Sequence, residues 1–195
     1  MTGAELPPSA RQAELLELAY RYAVQRGRTD ITLRPIAAAI GSSPRVLIYL
    51  FGSKDGLIRA LLSRARADEI AMLAELRAGD WPAGAGLAEA GQRIWSWLSD
   101  PARRPLLRLW LDGYSRSLTE PDGPWSGFGQ ATVAEWLALL AEVQPPARRD
   151  SPDGLAERTL VLAVLRGALL DLLSTGDEAR TGAAVRLQLS ALKSS

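Results

Sequence analysis

The sequence has no cysteine and no histidine among its 195 residues, and each absence excludes a class of protein. Without cysteine the chain forms no disulfide, builds no thiolate metal site and senses no oxidant through a thiol. Without histidine it lacks the usual general base, the commonest metal ligand and the usual switch near neutral pH. We therefore expect no cofactor, and no effector that is held as a complex with a transition metal.

The short motifs of common enzymes are absent too. We find no GxSxG elbow, no phosphate-binding loop and no HExxH zinc motif. Gly84 and Gly86 form a Gly-x-Gly pair, but the preceding strand and the third glycine of a dinucleotide site are missing. An enzyme would then depend on paired carboxylates, for which the sequence shows no defined constellation. These observations argue against an enzyme.

Long apolar runs are also lacking. The most apolar stretch, Leu160 to Leu173, is interrupted by Arg166 and Asp171, so it does not predict a membrane span. The N-terminus has no basic region followed by an apolar one, the pattern of a signal peptide. From the sequence we expect a cytoplasmic protein that makes no contact with a membrane.

What the chain has in abundance is helix-forming residues. Ala, Leu, Glu and Arg dominate, hydrophobic residues make up 47% of the chain, and alternating runs of β-branched residues are absent. The sequence therefore predicts an all-α fold, with about nine helices placed by the apolar periodicity and by breaker residues.

Charge is distributed unevenly along the chain. Residues 1–66 carry 10 Lys and Arg against 5 Asp and Glu, a net charge of +5, whereas residues 67–195 carry 13 against 17, a net charge of −4. A basic N-terminal third on an acidic body indicates that the basic part meets a polyanion.

Three closely spaced helix starts, at Thr32, Ser43 and Ser53, are predicted in this basic part after a first helix. Ser9 and Gln12 form an S-x-x-Q capping box at the start of a helix that ends at Gly27. Thr32 and Ser43 are expected to cap the next two helices, and Ser53 a long one that runs to about Ala78. The segment Gly79–Gly86 is predicted to be a linker. Further helices are expected at Leu87–Ser99, Arg103–Leu118, Gln130–Val143, Gly154–Ser174 and Glu178–Leu192.

The segment Thr32–Phe51 has the layout of a helix-turn-helix. Gly41 and Ser42 join two helices of about two turns, and the small Ala37 allows them to cross closely. On the second helix Arg45 and Tyr49 share one face at positions i and i+4. The residues expected to form the core under the turn are Ile36, Ile40, Leu47, Leu50 and Phe51. Such spacing also fits an ordinary helical hairpin.

The continuation FGSKDGLIRALL at Phe51–Leu62 favours the first interpretation. With it, the chain resembles the TetR family of transcription regulators, whose pattern runs from a Thr and an Ile-Ala pair to a Ser-Lys-acid-x-Leu helix start. The matching residues are Thr32, Ile36-Ala37, Gly41, Ser43, Phe51 and Ser53-Lys54-Asp55-Gly56-Leu57.

The resemblance implies a three-helix helix-turn-helix domain in residues 1–66 and a helical effector-binding and dimerisation domain in residues 67–195, bridged by helix 53–78. It also implies a homodimer that binds double-stranded, palindromic operator DNA, and a repressor that a small, largely apolar effector releases. A helical partner-binding module without specific DNA affinity is the alternative.

By the same resemblance, one set of residues is expected to contact DNA. Lys54 would pair with a phosphate, although a solvated surface lysine explains it equally well, and Arg34 would reach a base edge or a phosphate. The full set is Thr32, Arg34, Ser43, Pro44, Arg45, Val46, Tyr49 and Lys54.

Two departures from the family pattern bear on docking. Many members have Tyr where this chain has Ile48, and Tyr or His where it has Leu50, so a phosphate contact at residue 48 is lost and Tyr49 is the candidate to replace it.

The chain contains no Asn, and no Gln lies between Thr32 and Lys54, so the usual adenine readers are missing. Arginine favours guanine, which predicts a half-site with at least one arginine-read guanine.

The C-terminal body is rich in aromatic residues. Core packing is one explanation, and a pocket for a largely apolar or aromatic effector is the other. For Arg166 and Asp171 an interfacial ion pair is the alternative to contact with the effector. The residues predicted for the pocket are Trp95, Trp110, Tyr114, Trp125, Phe128, Trp136 and Arg166. Those predicted for the dimer interface, on the last two helices, are Leu162, Gly167, Leu170, Leu173, Val185 and Leu189.

Overall fold

The computed structural model describes residues 9–27, 32–78 and 86–192. Within these ranges the chain forms ten α-helices, one 3₁₀ helix at Pro101–Arg103 and no β-strand, which confirms the predicted all-α class. The α-helices are α1 (Ala10–Arg26), α2 (Leu33–Ala39), α3 (Pro44–Phe51), α4 (Lys54–Ala78), α5 (Leu87–Leu98), α6 (Arg104–Thr119), α7 (Phe128–Glu142), α8 (Pro146–Arg149), α9 (Pro152–Thr175) and α10 (Glu178–Ala191).

Three of the four side chains predicted to cap helices in the N-terminal part do so, and all three are serines. The hydroxyl oxygens of Ser9, Ser43 and Ser53 accept hydrogen bonds from backbone N–H groups three residues later, at 3.2, 3.3 and 2.9 Å. Each bond satisfies a donor that the first helical turn leaves open. Thr32 occupies the N-cap position of α2, but its side chain makes no capping hydrogen bond there.

The chain divides into two compact units. The first contains Met1–Glu69 with Arg108–Ser126, and the second contains Ile70–Leu107 with Gly127–Ser195. Both α4 and α6 contribute residues to each unit. The predicted linker lies outside the described residues except for Gly86, which is the N-cap of α5. The division of roles between residues 1–66 and 67–195 stays a prediction.

The second unit is built around α9. Helices α5, α7 and α10 pack against it, and α10 also packs against α5. Val161, Leu165 and Leu172 of α9 are each 1% exposed, so this helix supplies the centre of the unit's apolar core. Gly91 of α5 permits the close approach, because a Cβ added there would lie 2.7 Å from Leu189 Cδ2 of α10.

Helix α8 was not predicted, because a four-residue helix is too short to show a periodicity. Polar contacts hold it between α7 and α9. The buried Gln144 side chain donates to the Gly154 carbonyl at 2.9 Å, and Arg158 Nη1 donates to Gln144 Oε1 at 2.9 Å. Arg149 Nε donates to a carbonyl in the last turn of α7 at 3.0 Å. Within the described ranges, no helix has the combination of length and hydropathy that a bilayer span requires.

Candidate nucleic-acid interface

Helices α2 and α3 form a tight hairpin. Gly41 adopts the left-handed conformation with φ of 65°, and the Ser42 N–H donates to the Ala37 carbonyl at 2.8 Å, which closes the end of α2. Ser43 is extended and begins α3 immediately, with Pro44 in its first turn. Glycine adopts the left-handed backbone conformation at little energetic cost. Gly41 therefore permits this short connection between the two helices.

A small apolar core lies beneath the turn. Ile36 and Leu47, which the sequence predicted for this core, are 1% and 0% exposed, and the neighbouring Ala37 is 0% exposed. The other three residues expected there, Ile40, Leu50 and Phe51, are only half-buried. The core is therefore narrower than predicted, since α2 and α3 have too few turns to cover both flanks of the hairpin.

The opposite face of α3 is open to solvent. Arg45 is exposed, Val46 and Ile48 are each 38% exposed, and Tyr49 is 85% exposed. An aromatic side chain that is exposed to this extent buries little apolar area within the protomer, so folding alone does not account for it. The face combines a guanidinium, two aliphatic groups and a phenol, which suits contact with base edges and phosphates.

The remaining predicted DNA contacts flank this face. Thr32 and Arg34 are exposed at the start of α2, Lys54 is exposed as the first residue of α4, and Pro44 is half-buried. Ser43 is exposed, and its hydroxyl caps α3. All eight residues belong to the first unit.

Gly56 makes the junction between α3 and α4 possible, a role that sequence reasoning missed. A Cβ at this position would lie 2.0 Å from the carbonyl oxygen of Phe51, a distance that no side chain tolerates. The sequence signal that could have revealed this role is the position of Gly56 in the first turn of a long helix, where a glycine lowers helix stability. Its absence of a side chain lets α4 start directly behind α3 and brings Lys54 next to the hairpin.

A polar cluster joins α1 to α4 in the first unit, and we call Glu17, Tyr20, Arg64 and Asp68 the α1–α4 cluster. Tyr20 Oη donates to Asp68 Oδ2 at 2.8 Å, and Arg64 donates to Asp68 and, at 2.8 Å, to Glu17 Oε2. The Arg64 guanidinium also lies 4.8 Å from the centroid of the Tyr20 ring. The cluster attaches α1 to the middle of α4.

Burial is the main reason that the pKa of the Tyr20 phenol rises above its ordinary value, and the hydrogen bond to Asp68 adds to it. The hydrogen bond with Asp68 likewise raises the pKa of Arg64. Next to the cluster, the fully buried Glu69 carboxylate pairs with Arg66. Sequence reasoning missed the cluster because its partners are 47 and 48 residues apart, and the i, i+4 pair Arg64 and Asp68 was the only local signal.

The residues predicted for the effector pocket are divided between the units. Trp110, Tyr114 and Trp125 belong to the first, and Trp95, Phe128, Trp136 and Arg166 to the second. In the first, the buried Trp125 ring lies against Gly113, where a Cβ would come within 2.6 Å of it. In the second, Trp95, Phe128 and Trp136 are at most 6% exposed. Arg166, Trp110 and Tyr114 are half-buried.

Half of the predicted dimer interface is placed inside the protomer. Leu162, Val185 and Leu189 are 5%, 0% and 3% exposed, because α9, α10 and α5 cover them within the second unit. These three leucine and valine side chains leave a partner subunit almost no surface to cover. Their prediction as interface residues is therefore wrong, and they belong to the core of the second unit. Gly167 and Leu170 are exposed, and Leu173 is half-buried.

Asp171, one of the two polar residues in the apolar stretch of α9, has a partner in its own chain. Arg180 of α10 donates to it from both terminal guanidinium nitrogens, Nη1 to Oδ2 and Nη2 to Oδ1, each at 2.7 Å. The hydrogen bonds from Arg180 lower the pKa of this carboxylate. An ion pair therefore accounts for Asp171, and that pair joins α9 to α10.

The comparisons with known proteins agree with this geometry. Residues 15–61 match the family described as bacterial regulatory proteins, tetR family. The HTH-type transcriptional regulator BetI of Burkholderia thailandensis is 29% identical over 163 residues, which cover 82% of each protein.

Solved structures show the same fold. A transcriptional regulator from Rhodococcus sp. Rha1 superposes with a TM-score of 0.71 at 21% identity, covering 92% of this chain and 94% of the other. A TetR-like transcriptional regulator from Rhodococcus sp. RHA1 superposes with a TM-score of 0.60, also at 21% identity, covering 95% of each chain.

Proposed function

The chain belongs to the TetR family of DNA-binding transcription regulators, and from this membership we propose that it is a homodimeric repressor which a small molecule releases from a palindromic operator. The family's regulators bind DNA, act as dimers and are not enzymes. The division of labour that we propose assigns DNA binding to residues 1–66, and effector binding and dimerisation to residues 67–195. Helix α4 begins in the first part and ends in the second.

The observation that carries the DNA-binding role is the exposed face of α3 on a hairpin with a buried core. We propose that α3 enters the major groove, with Arg45, Val46 and Tyr49 at base edges and phosphates. Arg34 and Lys54 flank this face with positive charge, which favours contact with the phosphate backbone. The amides at the helix starts of Thr32 and Ser43 supply further phosphate donors.

Base preference follows from the side chains available on this face. Arginine pairs with the N7 and O6 acceptors of guanine, and Val46 and Ile48, each 38% exposed, are apolar groups that suit a thymine methyl. We therefore propose a half-site with at least one guanine read by Arg45 or Arg34. Tyr49, 85% exposed, supplies the phosphate contact that Ile48 lacks.

The test is binding of the purified dimer to a duplex selected from random DNA, followed by fluorescence anisotropy at several salt concentrations. Replacing Arg45 by Ala is expected to weaken binding by about 1–3 kcal/mol and to relax one base position. The matched control is Arg108→Ala, an exposed arginine of α6, which should bind as the wild type does. Binding that is insensitive to salt would favour the alternative, a partner-binding module without specific DNA affinity.

The proposed dimer interface is the apolar surface that α9 and α10 leave exposed. Leu160 and Leu170 of α9 are 46% and 58% exposed, and Leu187 of α10 is 75% exposed. Gly167 lies between Leu160 and Leu170 in the sequence of α9, with nothing within 4 Å of an added Cβ, which leaves room for the close approach of a helix. Two helices from each protomer would then form a four-helix interface, and its two-fold axis would match the symmetry of the operator.

The effector is proposed to be small and largely apolar or aromatic, because aromatic side chains are concentrated in the body of the chain. Trp110 and Tyr114 are half-buried one turn apart on α6, so both retain surface that a ligand could cover. The effector acts as a release signal only if it binds one state of the dimer more tightly than the other.

A further inference from the structure

Gln12 lies on α1, outside the hairpin, yet its side chain reaches the last turn of α3. Its Nε2 donates a hydrogen bond to the carbonyl oxygen of Leu50 at 3.0 Å, across 38 residues of sequence. The capping-box pattern predicted a different partner, the backbone of Ser9 at the start of its own helix. Only half of that box forms, because Ser9 Oγ accepts from the Gln12 N–H while the Gln12 amide turns to α3.

This contact meets a need at the end of α3. The last carbonyl groups of a helix have no donor further along the same helix, and they require one from elsewhere. Leu50 is the seventh of the eight residues of α3 and follows Tyr49 in the chain. The bond from Gln12 therefore fixes the Leu50–Phe51 peptide group, one residue beyond Tyr49, the most exposed side chain on the open face of α3.

Apart from Leu47, the side chains of α3 are half-buried or exposed. Of its eight residues, all described, Leu47 alone is buried. One buried side chain in the middle of a helix restrains its tilt less than two separated fixed points do. Leu47 and the Leu50 carbonyl provide the two points, and the second depends on Gln12.

We propose that Gln12 is a positioning residue for the reading helix, which sets the tilt of α3 and so the match of Arg45 and Tyr49 to the operator. The proposal rests on the DNA-reading role assigned to α3. Contacts that specify a sequence require placement within a fraction of an ångström, whereas nonspecific attraction to phosphates does not. Loss of Gln12 should therefore lower discrimination between sequences more than it lowers nonspecific affinity.

The test compares Gln12→Met, which keeps the length of the side chain and removes the donor, with Gln25→Met, an exposed glutamine of the same helix. Affinity is measured by anisotropy for the duplex selected by the wild-type protein and for a scrambled duplex of the same composition. We expect Gln12→Met to lose about tenfold in affinity for the selected duplex and less than about twofold for the scrambled one. Gln25→Met should change neither affinity.

Hydrogen exchange of the DNA-free protein supplies a readout that direct contact with DNA would not move. Amides in the peptide that covers α3 should exchange faster in Gln12→Met than in the wild type, at conditions where both are fully folded. An unchanged ratio of affinities, or unchanged exchange in α3, would overturn the positioning role. If the wild-type protein itself selects no sequence, the DNA-reading role fails instead, and the two failures are thus distinguishable.

Discussion

The helix hairpin and the α9–α10 pair expose opposite kinds of surface. The hairpin consists of helices of seven and eight residues with three fully buried side chains, and it exposes guanidinium and phenol groups. The α9–α10 pair consists of helices of 24 and 14 residues with a continuous apolar core, and it exposes leucines. A charged face on a small support suits a polyanion, whereas an apolar face on a rigid support suits a second copy of the same chain. The surface that each region leaves open therefore indicates its partner.

The first substitution tests whether the exposed leucines of α9 and α10 form the dimer interface. Replacing Leu187 by Glu should weaken dimerisation by at least about a hundredfold, because two-fold symmetry places the unpaired charge in the interface twice. The matched control is Leu118→Glu, a leucine of α6 that is 68% exposed but lies outside the α9–α10 face. Sedimentation velocity over a range of concentrations measures both, and equal dissociation of the two variants would contradict the proposed interface.

A second substitution tests how little apolar surface supports the hairpin. Leu47 is 0% exposed and is the one buried side chain of α3, so Leu47→Ala should lower the free energy of unfolding by about 2–5 kcal/mol. Ile48→Ala, at the neighbouring, 38% exposed position, should cost less than about 1 kcal/mol. Urea unfolding followed by circular dichroism gives both values, and similar losses would show that α3 has a second core contact.

The α1–α4 cluster makes stability depend on alkaline pH. Because the pKa of Tyr20 is raised in the folded state, the folded protein holds this proton more tightly than the unfolded chain does. The protonated Tyr20 phenol contributes fully to the stability of the fold below about pH 10, and this contribution decreases as the pH rises above that value. In Tyr20→Phe this decrease should disappear, and about 1–2 kcal/mol of stability should be lost near neutral pH with the hydrogen bond to Asp68.

Unfolding titrations between neutral pH and pH 11 measure this dependence. Tyr22→Phe is the control, since Tyr22 is half-buried on the same helix and stacks with Arg26 instead. If Tyr20→Phe kept the alkaline loss of stability, another group would be responsible for it.

The smallest expected effect compares the two caps of the hairpin. The Ser43 hydroxyl caps α3 whereas the Thr32 hydroxyl makes no such bond to α2. Ser43→Ala should therefore cost about 1 kcal/mol of unfolding free energy, and Thr32→Ala less than about half of that. Urea unfolding resolves the difference, and a larger loss for Thr32→Ala would reverse the assignment of the caps.

Much of the fold was predictable because its signals are local. The serine caps and the glycine after α1 set helix ends that the structure reproduces to within about two residues, and Gly41 and Ser43 placed the hairpin. What depends on distant partners was not predictable. The Gln12 contact joins residues 38 apart, and the capping pattern pointed to a nearer partner.

The apolar periodicity of α9 and α10 shows the limit in another way. Periodicity marks the residues that need apolar cover, but it does not say whether the same chain or a partner subunit covers them. Leu162 and Val185 were assigned to a partner subunit and are covered within the protomer, whereas Leu187 is the leucine that remains 75% exposed. Such a distinction requires the packing of α5 against both helices.

Sequence-specific reading of DNA by α3 is the central element of the proposed function. Selection of bound duplexes from random DNA, done in parallel with the wild type and with Arg45→Ala, tests it most directly. We predict two symmetric half-sites whose centres lie one helical turn or a multiple of it apart, each with a strongly preferred G·C pair, and loss of one preference in Arg45→Ala. Enrichment of no sequence, or half-sites without any preferred G·C pair, would contradict the account.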